Sequence, residues 1–105
     1  MGYKLNADGS ISQSSTYAVV GTIPIAGGES VRWGNTIGTL GLLVEYNENL
    51  NKVDYWNGEG IARTIRTKTT TRFIKACFPA SDIDNSYIYD ETNGKYLWKG
   101  KNVNA

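Results

Sequence analysis

Ten acidic side chains, one thiol and three indoles are the groups of this 105-residue chain with most chemistry to offer, and no histidine accompanies them. Without imidazole a Ser or Cys triad lacks its base, histidine metal ligation is excluded, and the usual switch near neutral pH is missing. Ser and Thr are plentiful, yet no Lys- or base-bearing nucleophile motif surrounds them. Cys77 stands alone, so it forms neither an internal disulfide nor a thiolate zinc site. Its place in an alternating apolar run, Phe73 to Phe78, predicts a buried, inert thiol. Glycoside hydrolysis needs two carboxyl groups facing each other across a groove. Asp54, Glu59, Asp82 and Asp90 are the candidates for such a hydrolase, and no spacing singles out a pair. The run Asp82-Ile83-Asp84-Asn85-Ser86 opens like a calcium loop, but Tyr87 stands where Gly is needed and Asn93 where a bidentate Glu belongs. That leaves turn formation, with Asp82 and Asn85 capping local N–H groups, or a calcium site of another geometry. No catalytic residue, metal or cofactor is assigned.

The aromatic residues offer more. Trp33, Trp56 and Trp98 each end a predicted strand, followed by Gly34, by Asn57-Gly58 and by Lys99-Gly100. Aromatics at loop rims beside Asn, Asp and Gly suit a sugar: a flat ring meets the C–H face of a pyranose, and amides meet its hydroxyls. Trp33, Tyr55, Trp56, Asn57, Tyr89 and Trp98 are therefore the candidate glycan-binding residues. Core and cross-strand packing is the competing role for each indole.

Strands and turns must position these groups. Twelve Gly, ten Asn, ten Thr and seven Tyr, with two Pro, are the vocabulary of short strands and tight turns. Residues 1–16 are polar, carry no periodic apolar face, and read as an N-terminal arm or linker that orders on a partner. From Tyr17 the texture changes. Strands are predicted over Tyr17–Ile23, Ser30–Trp33, Leu42–Tyr46, Lys52–Trp56, Ala62–Arg66, Arg72–Phe78, Tyr87–Tyr89 and Tyr96–Trp98, with a glycine-rich loop from Gly34 to Gly41. Ile74, Ala76 and Phe78 share one face, with Lys75 and Cys77 on the other, which puts Ile74 and Phe78 in the core. The fold class is all-β: one jelly-roll-like β-sandwich of about seven or eight antiparallel strands over residues 17–105.

Thr22-Ile23-Pro24-Ile25, then Gly27 to Arg32, then Val44-Glu45-Tyr46-Asn47-Glu48-Asn49 with Lys52, and finally Thr71 through Pro79 carry a resemblance. From Tyr17 to Tyr89 the chain resembles small β-sandwich modules of bacteriophage and prophage tail-fibre, baseplate and other virion surface proteins. It departs from them in Cys77, where Ser is common, and in the insertion Gly34 to Gly41. The resemblance implies a non-enzymatic virion module contacting host-surface glycans, usually a homo-oligomer and most often a trimer. The arm would dock onto other virion proteins or intertwine with neighbouring copies. A carbohydrate-binding module of a bacterial surface protein or glycan-degrading enzyme is the alternative.

The formal charge is +1 with no basic run, which gives no electrostatic reason to bind nucleic acid or an anionic membrane. No stretch reaches signal-peptide or membrane-spanning length. The expected location is a virion surface after synthesis in the host cytoplasm, or an extracellular one, and the chain could be one domain of a longer protein.

Overall fold

The computed structural model describes residues 2–104. Among these residues ten strands run in chain order: β1 (Tyr3–Leu5), β2 (Ile11–Gln13), β3 (Tyr17–Pro24), β4 (Ser30–Gly34), β5 (Leu43–Tyr46), β6 (Lys52–Trp56), β7 (Ala62–Arg66), β8 (Phe73–Pro79), β9 (Tyr87–Asp90) and β10 (Lys95–Lys99). A 3₁₀ turn, Ala80–Asn85, separates β8 from β9. Two four-stranded antiparallel sheets, ordered β10-β9-β4-β7 and β3-β8-β5-β6, form the predicted β-sandwich. Apart from the hairpins β5–β6 and β9–β10, each link from β3 onward passes from one sheet to the other. The long loops therefore collect at the ends of the sandwich.

Period-two alternation builds the core. Val31 and Trp33 of β4, Ile65 of β7 and Ile88 of β9 face Leu43 of β5 and Ile74, Ala76 and Phe78 of β8, all buried. Burying an aliphatic or aromatic side chain of this size contributes about 1.5–3 kcal/mol. The sandwich rests on this layer.

Residues 2–16 fold back on the domain. β1 and β2 pair as a hairpin, and Leu5 is buried with Val44, Tyr46 and Cys77 on the outer face of the β3-β8-β5-β6 sheet. The Asn6–Gly9 turn closes with a Gly9 N–H to Asn6 carbonyl bond of 2.9 Å, and Gly9 takes φ 89°. Glycine accepts that left-handed backbone without steric cost. The Tyr46 hydroxyl donates to the Gly9 carbonyl at 2.7 Å, and Ala80 N–H donates to the Thr16 carbonyl at 2.8 Å. An arm that orders only on a partner is thus replaced by a hairpin ordered on its own domain. The polar composition conceals it, because two three-residue strands and one buried leucine leave no periodic signal. Cys77, on the outward side of β8, is buried beneath Leu5 of the hairpin together with the Gly41–Leu42 segment.

Candidate functional site

The six residues expected to meet a glycan do not converge. Alternation along β4 turns Trp33 inward, where it is wholly buried and its indole N–H donates to the Gly41 carbonyl at 3.1 Å. The glycine that follows it does not make it a rim residue. Trp98 also faces in, stacked on Phe78 at a centroid distance of 5.7 Å. Trp56 lies at the edge of the core, its indole N–H held by Glu45 Oε2 at 2.6 Å, with Arg63 and Lys68 against its ring. Tyr55 points to the opposite face of β6, near Lys52. Adjacent strand residues cannot share a surface. Asn57 is exposed and offers its backbone carbonyl to Arg63 Nη1 at 2.7 Å. Only Tyr89 belongs to a convergent group.

That group lies on the outer face of the β10-β9-β4-β7 sheet. Buried Ile88 sends its neighbours Tyr87 and Tyr89 outward, and register places Arg32 and Tyr96 on either side of Tyr89. The Arg32 guanidinium carbon stands 5.0 Å from the Tyr89 ring centroid and 5.7 Å from that of Tyr87. Tyr96 meets Tyr89 edge to face at 5.0 Å and Tyr87 at 6.0 Å, and Lys99 Nζ sits 5.4 Å from the Tyr96 ring. Contacts between cations and rings of this kind are each worth about 0.5–1 kcal/mol at exposed positions. Glu91 Oε2 fixes one Arg32 Nη1 at 3.1 Å, while Arg32 Nε is buried with no hydrogen-bond partner among the described residues. Opposite Tyr87 in the register is Gly34. A Cβ there would stand 2.6 Å from the Tyr87 hydroxyl, so glycine lets the ring lie across β4.

At the loop end of this face is a recess of about 330 Å³, walled by Tyr87, Tyr96 and Arg32 on one side and by Asn35, Asn85 and Asn102 on the other. Its size falls near the lower limit of ~300–1,000 Å³ for small-molecule sites. Asp82 organises its floor. Its carboxylate accepts from Thr36 N–H at 2.8 Å and from Asn85 Nδ2 at 2.7 Å, and Asn102 Nδ2 donates to Asn85 Oδ1 at 3.1 Å. Burial pushes the Asp82 carboxyl up, but the hydrogen bonds from Asn85 and Thr36 outweigh it and hold the group below the usual range. Asp82 therefore ties the 35–42 loop to the 3₁₀ turn and sets the Asn85 and Asn102 amides, a wider role than a local cap.

The four candidate carboxylates engage separate partners: Asp54 Lys68 at 3.0 Å, Glu59 Arg63 at 3.4 Å, Asp82 Thr36 and Asp90 Asn93. Burial raises Asp54, yet Lys68 holds it below its ordinary value, the reverse of what a general acid at neutral pH requires. Burial pushes the Cys77 thiol up, away from a reactive thiolate. A larger recess of about 630 Å³ lies over Phe73 and Leu97. Several of its polar groups serve local structure: Asn93 Nδ2 bridges Glu29 and Asp90, and Arg72 Nη1 donates to the Thr69 and Thr71 carbonyls. Among the described residues no group of three or more Cys, Asp or Glu could hold a metal ion.

Tyr87, Tyr96, Arg32 and the three asparagines escape a reading of the sequence. The Tyr-Ile-Tyr alternation carries the signal for the first of them, since an inward Ile88 forces two outward tyrosines. Comparisons of the chain with protein-family models, curated proteins and solved structures find no match.

Proposed function

We propose that the chain is a non-enzymatic attachment module of a phage-type particle surface, holding host-surface glycans on the Tyr87, Tyr89 and Tyr96 face. The observation that carries this reading is the convergence of three tyrosine rings and one guanidinium on a sheet face outside the core, with the Asn85 and Asn102 amides at its loop end. Aromatic rings take the apolar faces of pyranoses, and amides positioned by Asp82 take hydroxyls. Membership of a phage particle rests on the resemblance over Tyr17 to Tyr89. Tyr3 and Ile11, 45% and 47% exposed on the N-terminal hairpin, supply apolar surface for other virion proteins or further copies, a trimer being the favoured assembly.

The test is a glycan array probed with the wild-type chain, Tyr96→Ala and Tyr55→Ala, with circular dichroism confirming each fold. Tyr96→Ala should lose the signal and Tyr55→Ala should keep it. Wild-type protein that binds no glycan would overturn the glycan reading, and equal loss in both variants would move the site elsewhere.

A further inference from the structure

The charge distribution around the tyrosine face narrows the class of glycan that fits it. The chain as a whole is almost neutral, at +1. Its outer β10-β9-β4-β7 face is not. Arg32, Lys99 and Arg66 lie on the outward side of that sheet, because Arg32 and Lys99 share register with the outward tyrosines and Arg66 follows outward Thr64 by two positions on β7. Glu91 is the carboxylate that meets them, paired with Arg32. At the loop end Lys101 and Asp84 neutralise each other at 3.5 Å, and Asp82 is enclosed by Thr36 and Asn85. At the opposite end Glu29 is bound to Asn93, and Arg66 Nη1 donates to the Gly28 carbonyl at 2.8 Å.

Lys99 makes no ion pair among the described residues, and its ammonium stands over the Tyr96 ring. Arg32, with 36% of its side chain exposed, gives Nη1 to Glu91, and its guanidinium makes no other hydrogen bond among the described residues. The two tyrosines beneath it hold the guanidinium in place, so engaging a ligand costs little further side-chain entropy. We propose that the glycan bound here is acidic, a polymer of pyranoses bearing carboxylates, with a carboxylate received between Lys99 and Arg32 while the tyrosines hold the adjoining ring. This assignment rests on the glycan-binding role proposed for the tyrosine face. A neutral glycan would leave the cationic excess without a role, whereas a bare anion would make no use of the tyrosines.

The test compares uronate- and sialate-bearing polysaccharides with the same polymers after reduction of their carboxyl groups, which keeps the backbone and removes the charge. Sulfated and unmodified neutral dextrans complete the panel. Binding should follow the carboxylate, weaken with salt, and fall about fivefold in Lys99→Gln, the upper range for one exposed ion pair. Lys99 is exposed, so the substitution leaves the core alone. Equal binding of native and reduced polymers, or an unchanged affinity in Lys99→Gln, would overturn the acidic assignment. Loss in Tyr96→Ala in that same experiment would leave the glycan reading standing. Preference for sulfate over carboxylate would overturn the choice of anion, and no binding to any polymer would overturn both readings.

Discussion

Leu5→Ala should release the N-terminal hairpin from the sheet while leaving the sandwich folded. Leu5 is 5% exposed and is the hairpin's buried contribution to the cluster with Val44, Tyr46 and Cys77. Core Leu→Ala substitutions cost about 2–5 kcal/mol, depending on how far the site collapses. Here the hairpin can shift, so the lower end applies, about 2–3 kcal/mol. A two-stranded hairpin is marginal by itself in water, and the Tyr46 to Gly9 bond adds only about 1 kcal/mol. Losing about 2 kcal/mol of closing energy raises the open population roughly 30-fold, at a factor of ten per 1.4 kcal/mol. The protein carries its own reporter, because Cys77 is its single thiol, 2% exposed beneath the hairpin. Under native conditions a thiol reagent should modify Cys77 about 30 times faster in Leu5→Ala. Ile11→Ala, altering a residue 47% exposed on the same hairpin, should change the rate little. A Leu5→Ala rate within threefold of wild type, or a loss in urea unfolding below about 0.5 kcal/mol, would refute the claim that Leu5 clamps the hairpin.

Two more outcomes are expected from buried polar groups. Burial, with a smaller contribution from Asp8, pushes the Tyr46 phenol up to about 12. The folded chain holds this proton more tightly than the unfolded one, so the contribution is intact below pH 10 and is lost as pH rises through about 12. Absorbance titration should resolve one late-ionising tyrosine that Tyr46→Phe removes. Glu45, wholly buried, accepts from Trp56 Nε1, Lys68 N–H and Thr71 Oγ1 at 2.6, 2.7 and 2.6 Å. Glu45→Gln turns an amide donor toward a donor and should cost about 2–3 kcal/mol in urea unfolding. A loss below about 0.5 kcal/mol would show the carboxylate is dispensable.

The strands are legible because alternation is local. Ile74 and Phe78 show their inward face in seven residues, and the glycines after Trp33 mark a loop. What escapes is set at long range. Trp33 and Trp98 are core residues because an opposing sheet needs their volume, whereas a strand end followed by glycine looks the same at a rim. Cys77 reads as buried, and it is, yet part of the cover over its outward side is Leu5, seventy-two positions earlier in the chain. The tyrosine face is half visible: Tyr89 stands out in the sequence, but its joining with Arg32 depends on β4 pairing with β9, a register no short segment contains. Asp82 reads as a local cap because its partner Thr36 lies forty-six residues away.

The two sheets differ in how freely their residues can change. The β3-β8-β5-β6 sheet is packed on its inner face and, around Val44, Tyr46 and Cys77, on its outer face too, so a change at Ala76 or at Cys77 of β8 disturbs one packed layer or the other. The outer face of β10-β9-β4-β7 packs on no other sheet among the described residues. Substitutions at Arg32, Tyr89, Tyr96 and Lys99 can therefore accumulate without opening the core. The residues that maintain the fold and those exposed on this face are nearly separate sets, so the face is free to diverge quickly on a scaffold that barely changes.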